Sequence, residues 1–303
     1  MFHLIPSVLL ATLFGGSQTL FVTAPSHDLG DRVHDGSCLT VVCQGHVTHG
    51  PQWSSVSVIP VNGQGMPQSP AEALSWYRKA AEKGQAVEQA YLGYLYQTGK
   101  GVPQSDTEAV IWYRKAAEQG HAGGQAFLGF MYQSGRGVPQ SNTEAVIWYR
   151  KAAEQGNAMG QVNLGQMYAS GVGVPQSHEE AAKWYNQAAE QGHAEGQTYL
   201  GYVYQIGKGV PQSDAAAVAW YRRAAEQGHA AGQRRLGWMY ANGRGVLQDV
   251  VKAYMWASLA LSNGDSRAGP LRDQVAKQMT PPQLTQSETM AQKCRASSYK
   301  ACE

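Results

Sequence analysis

An all-α solenoid of antiparallel helix pairs is the fold this sequence predicts, and three observations predict it. Tryptophan stands at 76, 112, 148, 184, 220 and 256, always 36 residues apart. Within one unit the apolar residues fall at helical spacing, not at strand alternation. Between units the chain repeats one glycine- and proline-containing turn. A fixed period of about 20–50 residues marks a repeat architecture, and the spacing inside the unit separates helix from strand.

The first elements in chain order stand outside the period. Residues 1–24 hold a short apolar run, "LIPSVLLATLF", suited to the h-region of a signal peptide. No Lys or Arg precedes it and Pro25 follows Ala24, so the leader leaves export and a cytoplasmic location both open. Residues 25–62 are rich in Ser, Gly, His and Val without helical period, and they read as a loosely ordered head. The head contains Cys38, Cys43, His46 and His49 within twelve residues. Thiolate and imidazole are the usual zinc donors, but the spacing matches no common zinc pattern, and the expectation is a polar loop with no metal and no cofactor.

From 63 onward the period rules. In "SDTEAVIWYRKAAEQG", 105–120, the residues Ala109, Trp112, Tyr113, Ala116, Ala117 and Gly120 fall at i, i+3, i+4, i+7, i+8 and i+11, one face of a helix. Ser105 and Glu108 form a Ser-x-x-Glu capping box, repeated at Ser69/Glu72, Ser141/Glu144 and Ser177/Glu180, in which each side chain satisfies an orphan backbone donor. Gly120 ends the helix, because glycine enters the left-handed C-cap conformation at little cost. The second half, "HAGGQAFLGFMYQSGRGVPQ", reads as another helix, with Gln125, Leu128, Gly129 and Tyr132 on one face. Glycine recurs mid-helix at 93, 129, 165, 201 and 237. It costs about 1 kcal/mol there relative to alanine, so the position needs a missing side chain where two helices touch. Gly135, Gly137 and Pro139 then turn the chain toward the next cap. Each pair carries an apolar stripe that it cannot bury alone, and stacking buries it.

These words, Gly-x-Gly-Val-Pro-Gln, Ala-x-x-Trp-Tyr-Arg-Lys-Ala-Ala-Glu-Gln-Gly-His-Ala and Gln-x-x-Leu-Gly-x-Met-Tyr, resemble the Sel-1-like repeat, a relative of the tetratricopeptide unit. The resemblance spans 63–264 and implies a right-handed α–α superhelix, here five full helix pairs and a divergent terminal one. Residues 252–284 resemble the terminal segment of bacterial members, and 265–303 read as capping helices and a tail, the second helix starting near Thr280 and Pro281. Polar residues such as Arg267, Arg272 and Lys277 suit the outer face that a terminal unit presents to water.

Composition narrows function. In 303 residues Lys plus Arg is 24 and Asp plus Glu is 22, a net charge of +2, against the clustered basic face of a nucleic-acid binder. The four cysteines, Cys38, Cys43, Cys294 and Cys302, lie near the ends, so no disulfide framework staples the middle. No stretch reaches the roughly 20 apolar residues of a membrane span. There is no His-Glu-x-x-His, no Gly-x-Ser-x-Gly and no Walker lysine loop. His121, His193 and His229 alternate with Asn157 and Gln85, which is foreign to a catalytic histidine. Their place after the first helix suits a partial positive charge. Glu82, Glu118, Glu154, Glu190 and Glu226 are a full repeat apart and read as solvated helix faces.

The expectation is therefore a non-enzymatic adaptor holding a protein or peptide on the concave face of the array, with no small-molecule cofactor. The resemblance implies that first helices line that face. Positions around the tryptophan that vary between copies supply the candidate contacts: Arg78, Ile111, Arg114, Lys115, Ile147, Arg150, Lys151, Lys183 and Arg222. Ile111 and Ile147 flanked by arginines suit an apolar, acidic segment. The alternative, that Arg and Lys only solubilise the helix, stays open. Two alternative functions are an exported hydrolase of cell-wall-derived substrates and a regulator acting through a metal-binding head.

Overall fold

The computed structural model describes residues 70–300 and 302. The leader, the head with its Cys and His residues, the turn at 63–69 and the Ser69 cap lie outside the described residues. The chain divides into two compact units, and the second, Leu74–Glu303, carries the array.

Thirteen helices and no strand occur among the described residues. The first helices of successive pairs are α1 (Pro70–Glu82), α3 (Asp106–Glu118), α5 (Asn142–Glu154), α7 (His178–Glu190) and α9 (Asp214–Ala225). Their partners are α2 (Ala86–Thr98), α4 (Ala122–Ser134), α6 (Ala158–Ser170), α8 (Ala194–Ile206) and α10 (Ala230–Asn242). Then come α11 (Val250–Ser262), α12 (Ala268–Ala276) and α13 (Pro281–Ala296).

Local chemistry explains each boundary. The hydroxyl of Ser105 accepts from the backbone N–H of Glu108 at 3.2 Å, and Ser141, Ser177 and Ser213 do the same. The reciprocal glutamate bond of a capping box is replaced by a tertiary one. The N–H of Ser105 donates to the carbonyl of Tyr96 at 2.9 Å, and Ser213 donates likewise to Tyr204. The Ser213 cap therefore works with Ala216 in the glutamate position. Among the described residues the reciprocal bond forms at α13, where Gln283 Oε1 accepts from both the N–H and the hydroxyl of Thr280.

The recurring histidines depart from expectation. Nδ1 of His121 accepts from the N–H of Gly124 at 3.0 Å, and Asn157 Oδ1 takes the same bond from Gly160 at 2.8 Å. These residues cap the N-terminus of each second helix, so the neutral ring is the useful form and a positive charge is not. Asparagine replaces histidine because both present an acceptor at the same place.

Packing joins each second helix to the first helix that follows. A Cβ on Gly129 would stand 2.7 Å from the Tyr149 ring, and Gly93, Gly165 and Gly201 meet Tyr113, Tyr185 and Tyr221 in the same way. The missing side chain is thus the seat of the next unit's buried tyrosine. Gly137, with φ +69°, lies so close on the carbonyl of Asp106 that any Cβ would overlap it. The core is a string of five clusters, bridged by shared rings: Tyr132, Tyr168 and Tyr204 each pack against two of them.

A polar ladder runs along this core. Buried Gln89, Gln125, Gln161, Gln197 and Gln233 donate to the carbonyls of Ala81, Ala117, Ala153, Ala189 and Ala225 at 3.0–3.3 Å. Their amide oxygens accept from Gln119, Gln155, Gln191, Gln227 and Asn263 of the next unit at 2.6–2.9 Å.

The last helices break the rhythm. Ala257 stands where other units have tyrosine, and Trp256 is fully buried. Asp265 is buried against Arg234 and Arg267, each at 2.7 Å. Burial alone would raise its carboxyl, but the two guanidinium hydrogen bonds outweigh it and hold the group at about 2. Helix α13 packs on α11, with Ser287 Oγ donating to the Val251 carbonyl at 2.9 Å. A disulfide joins Cys294 of α13 to Cys302, a pairing that the terminal positions of the cysteines did not disclose.

Candidate binding surface

The sequence-derived candidates lie along the first helices, and most are occupied within the fold. Arg78, Arg114, Arg150 and Arg222 donate to the hydroxyls of Tyr96, Tyr132, Tyr168 and Tyr240 in the partner helix at 2.8–3.0 Å. Lys115 and Lys151 sit 4.1 and 4.3 Å over the rings of Trp112 and Trp148, and Lys183 pairs with Glu180 at 2.6 Å on the surface. The arginines clip first helix to second, whereas each lysine is held by a neighbour on its own helix. Ile111 and Ile147 remain 42% and 40% exposed and are the free apolar groups of this stripe.

A second row lies on the second helices. The residue after each mid-helix glycine is Tyr94, Phe130, Gln166, Tyr202 or Trp238, aromatic in four copies out of five. Three residues earlier stand Tyr91, Phe127, Asn163, Tyr199 and Arg235. Spacing of i and i+3 puts both positions on one side of the helix. The glycine itself faces the next first helix, so its neighbour is turned outward.

The inner members of this row are fixed by stacking. Tyr113 packs on Phe127, and Tyr185 on Tyr199, with ring centroids 5.0 Å apart and planes within 14°. Arg235 covers Tyr202 at 4.4 Å. Phe130 and Tyr202 present 36% and 38% of their surface to solvent. Variation around the tryptophan points to first helices alone and does not reach this row. The signal was legible, since these residues flank a glycine that recurs in every unit.

Acid–base chemistry finds little to use. Burial pushes the phenols of Tyr113, Tyr149 and Tyr185 well above their ordinary value and Tyr221 up to about 12. Burial also lowers His121 and His193, both engaged as caps. Glu118, Glu154, Glu190 and Glu226 are exposed. Among the described residues no group of three His, Cys, Asp or Glu side chains is placed to hold a metal ion, and no helix is long and apolar enough to cross a membrane.

Comparison with known proteins agrees with the architecture. The Sel1 repeat profile matches residues 59–85, 89–121, 122–157, 158–193, 194–229 and 230–265. Its full-length units join a second helix to the following first helix, the two elements that the glycine–tyrosine seat holds together. Among solved structures, the chain is similar to a Sel1 repeat protein from Oxalobacter formigenes, with a TM-score of 0.61 and 35% identity over 66% of this chain and 79% of that one. It is also similar to a protective antigen of uropathogenic Escherichia coli strains displaying an SLR fold. There the TM-score is 0.51 and the identity 30%, over 78% of this chain and 60% of that one. No curated protein matches the chain significantly.

Proposed function

The chain belongs to the Sel1 repeat family, and from that premise we propose that it is a non-catalytic scaffold holding a protein partner along the second helices. Proteins of this family generally work through protein–protein interaction. The observation that carries the reading to this side is the aromatic row of Tyr94, Phe130, Tyr202 and Trp238, outward-turned and repeated at the array's own spacing. Tyrosine and tryptophan are the side chains that most often anchor interfaces, giving large contact area at low entropy cost.

Packing supports the same side as the concave one. Successive second helices touch, α4 with α6 and α8 with α10, whereas α3, α5, α7 and α9 approach one another less. In a bent stack the crowded layer is the inner one.

A first-helix reading keeps one observation in its favour, the exposure of Ile111 and Ile147. The test separates the two. The tagged full chain is cross-linked in its native lysate and its captured partner identified. Capture is then repeated with Phe130→Ser/Tyr202→Ser and with Ile111→Ser/Ile147→Ser. Loss in the first variant alone is expected. Loss in the second alone would assign the partner to the first helices, and no captured protein would remove the scaffold reading.

A further inference from the structure

Two clamps recur along the array, one between successive units and one within a unit, and the α7–α8 unit lacks both. In the first clamp a tyrosine hydroxyl donates to a glutamine sixteen residues earlier: Tyr113 to Gln97, Tyr149 to Gln133 and Tyr221 to Gln205, all at 2.7 Å. The corresponding partner of Tyr185 is Ala169. The Tyr185 hydroxyl makes no hydrogen bond among the described residues, although the side chain is only 2% exposed.

The second clamp is an ion pair between the Gly-x-Gly turn and the start of the same unit's first helix. Arg136 grips Asp106 through two bonds of 3.0 and 2.7 Å, and Arg244 grips Asp214 at 2.9 and 2.8 Å. In the α5–α6 unit those two positions hold Val172 and Asn142, an uncharged pair, and in the α7–α8 unit they hold Lys208 and His178. The turn still lies on the helix start, with Gly209 against the His178 carbonyl as Gly137 is against that of Asp106. A base has replaced the acid, and Lys208 has no ion-pair partner among the described residues.

Both breaks open into the same cavity of about 470 Å³, lined by Tyr185, Lys208 and His178 together with Tyr199, Tyr202 and Gln166. Gln166 takes the place of the aromatic residue that other second helices carry, which clears the space. No Asp or Glu lines it. The volume falls in the roughly 300–1,000 Å³ typical of ligand sites.

We propose that this cavity receives an aspartate or glutamate side chain of an extended partner peptide, with Lys208 and the Tyr185 hydroxyl taking the carboxylate and Tyr199 and Tyr202 an adjoining apolar residue. The ligand supplies the acid that the repeat has lost. A charged acceptor strengthens the hydrogen bonds donated to it, and burial keeps the Tyr185 phenol protonated as a donor. A peptide is the occupant, in preference to a free small acid, because the cavity is one stop on a longer row. Phe130 precedes it and Trp238 follows it, each one unit further along. The proposal rests on the scaffold reading and names the chemistry of its partner.

The test uses random dodecapeptides displayed on phage and selected on the immobilised full chain. Selected sequences should carry Asp or Glu beside an aliphatic or aromatic residue. As synthetic peptides measured by fluorescence anisotropy, they should lose about tenfold or more in affinity when the acid becomes its amide. The same loss is expected with His178→Asp, which restores the ion pair to Lys208, and with Ala169→Gln, which restores the tyrosine clamp. Both substitutions copy the sibling units, so the variants should melt no lower than the parent.

Selected peptides without acidic preference, or undiminished binding by both variants, would overturn the proposal. So would binding of free 3-phenylpropionate with no peptide selected. Partner capture from lysate that survives His178→Asp would overturn the cavity and leave the scaffold, whereas absence of any captured protein bears on the scaffold itself.

Discussion

Gly129 is pulled two ways, and distance decides. Alanine would gain about 1 kcal/mol of helix propensity, but its Cβ would meet the Tyr149 ring at 2.7 Å, and overpacking costs about 1–3 kcal/mol. Gly129→Ala is therefore expected to destabilise, read as a lower urea midpoint. Gly237→Ala should cost less, because the nearest atom there is 3.1 Å away and the facing tyrosine has become Ala257. The capping histidines give a pH prediction. Burial lowers His121, opposed weakly by Glu88, and burial lowers His193. The folded state then binds fewer protons than the unfolded one below about pH 6.5. Stability is complete above that value and falls as pH drops through the lower folded values. Melting temperature should decline between pH 7 and 5, and His121→Asn/His193→Asn, which copies Asn157, should flatten the decline. The sequence showed these histidines but not their role, since one residue both follows a first helix and opens a second.

At the scale of elements, the glutamine ladder couples units as no single pair can. Gln125 donates to the Ala117 carbonyl and accepts from Gln155, so it binds its own pair and the next at once. Removing it deletes both side-chain bonds, about 1–3 kcal/mol together, while the Ala117 carbonyl keeps the N–H of Gly120. Gln125→Ala should lower stability by that amount in chemical denaturation, and Gln119→Ala, at an exposed position, by less. Helix limits were legible because Ser caps, glycine stops and the 3.6-residue face are local signals. The ladder was not. Gln125 sits within an apolar stripe, and its partner lies 30 residues away in a different unit. The engagement of the first-helix cations is hidden for a related reason: Arg114 and Lys115 look available from the sequence, and only packing reveals that Tyr132 and Trp112 hold them.

For the molecule as a whole, units joined by the same seats and the same ladder should be interchangeable. Excising 142–177, one period of 36 residues, joins Ser141 to His178 in the register that Ser177 now holds. The shortened chain is expected to fold, with unchanged helical circular dichroism per residue and a urea m-value reduced roughly in proportion to the surface removed. Gln133 would then face Tyr185 and close the cavity, so peptide binding should disappear while folding persists. An aggregated product would show that the units are not equivalent. What the period could not foretell is where equivalence lapses, because Ala169, Gln166 and His178 are ordinary residues until their neighbours' partners are known.

The seating of α13 on α11 bears on self-association. Every earlier odd-numbered helix from α3 to α11 packs on the second helix directly before it, whereas α13 turns aside from α12 to lie on α11, where Ser287 donates to the Val251 carbonyl. A row of like modules offers copies of itself a matching joint, the head-to-tail kind that grows filaments when it does not close. With α13 lying on α11 out of step, that joint is expected to be disfavoured on its side of the array, so a chain lacking α13 should sediment as larger species than the full chain.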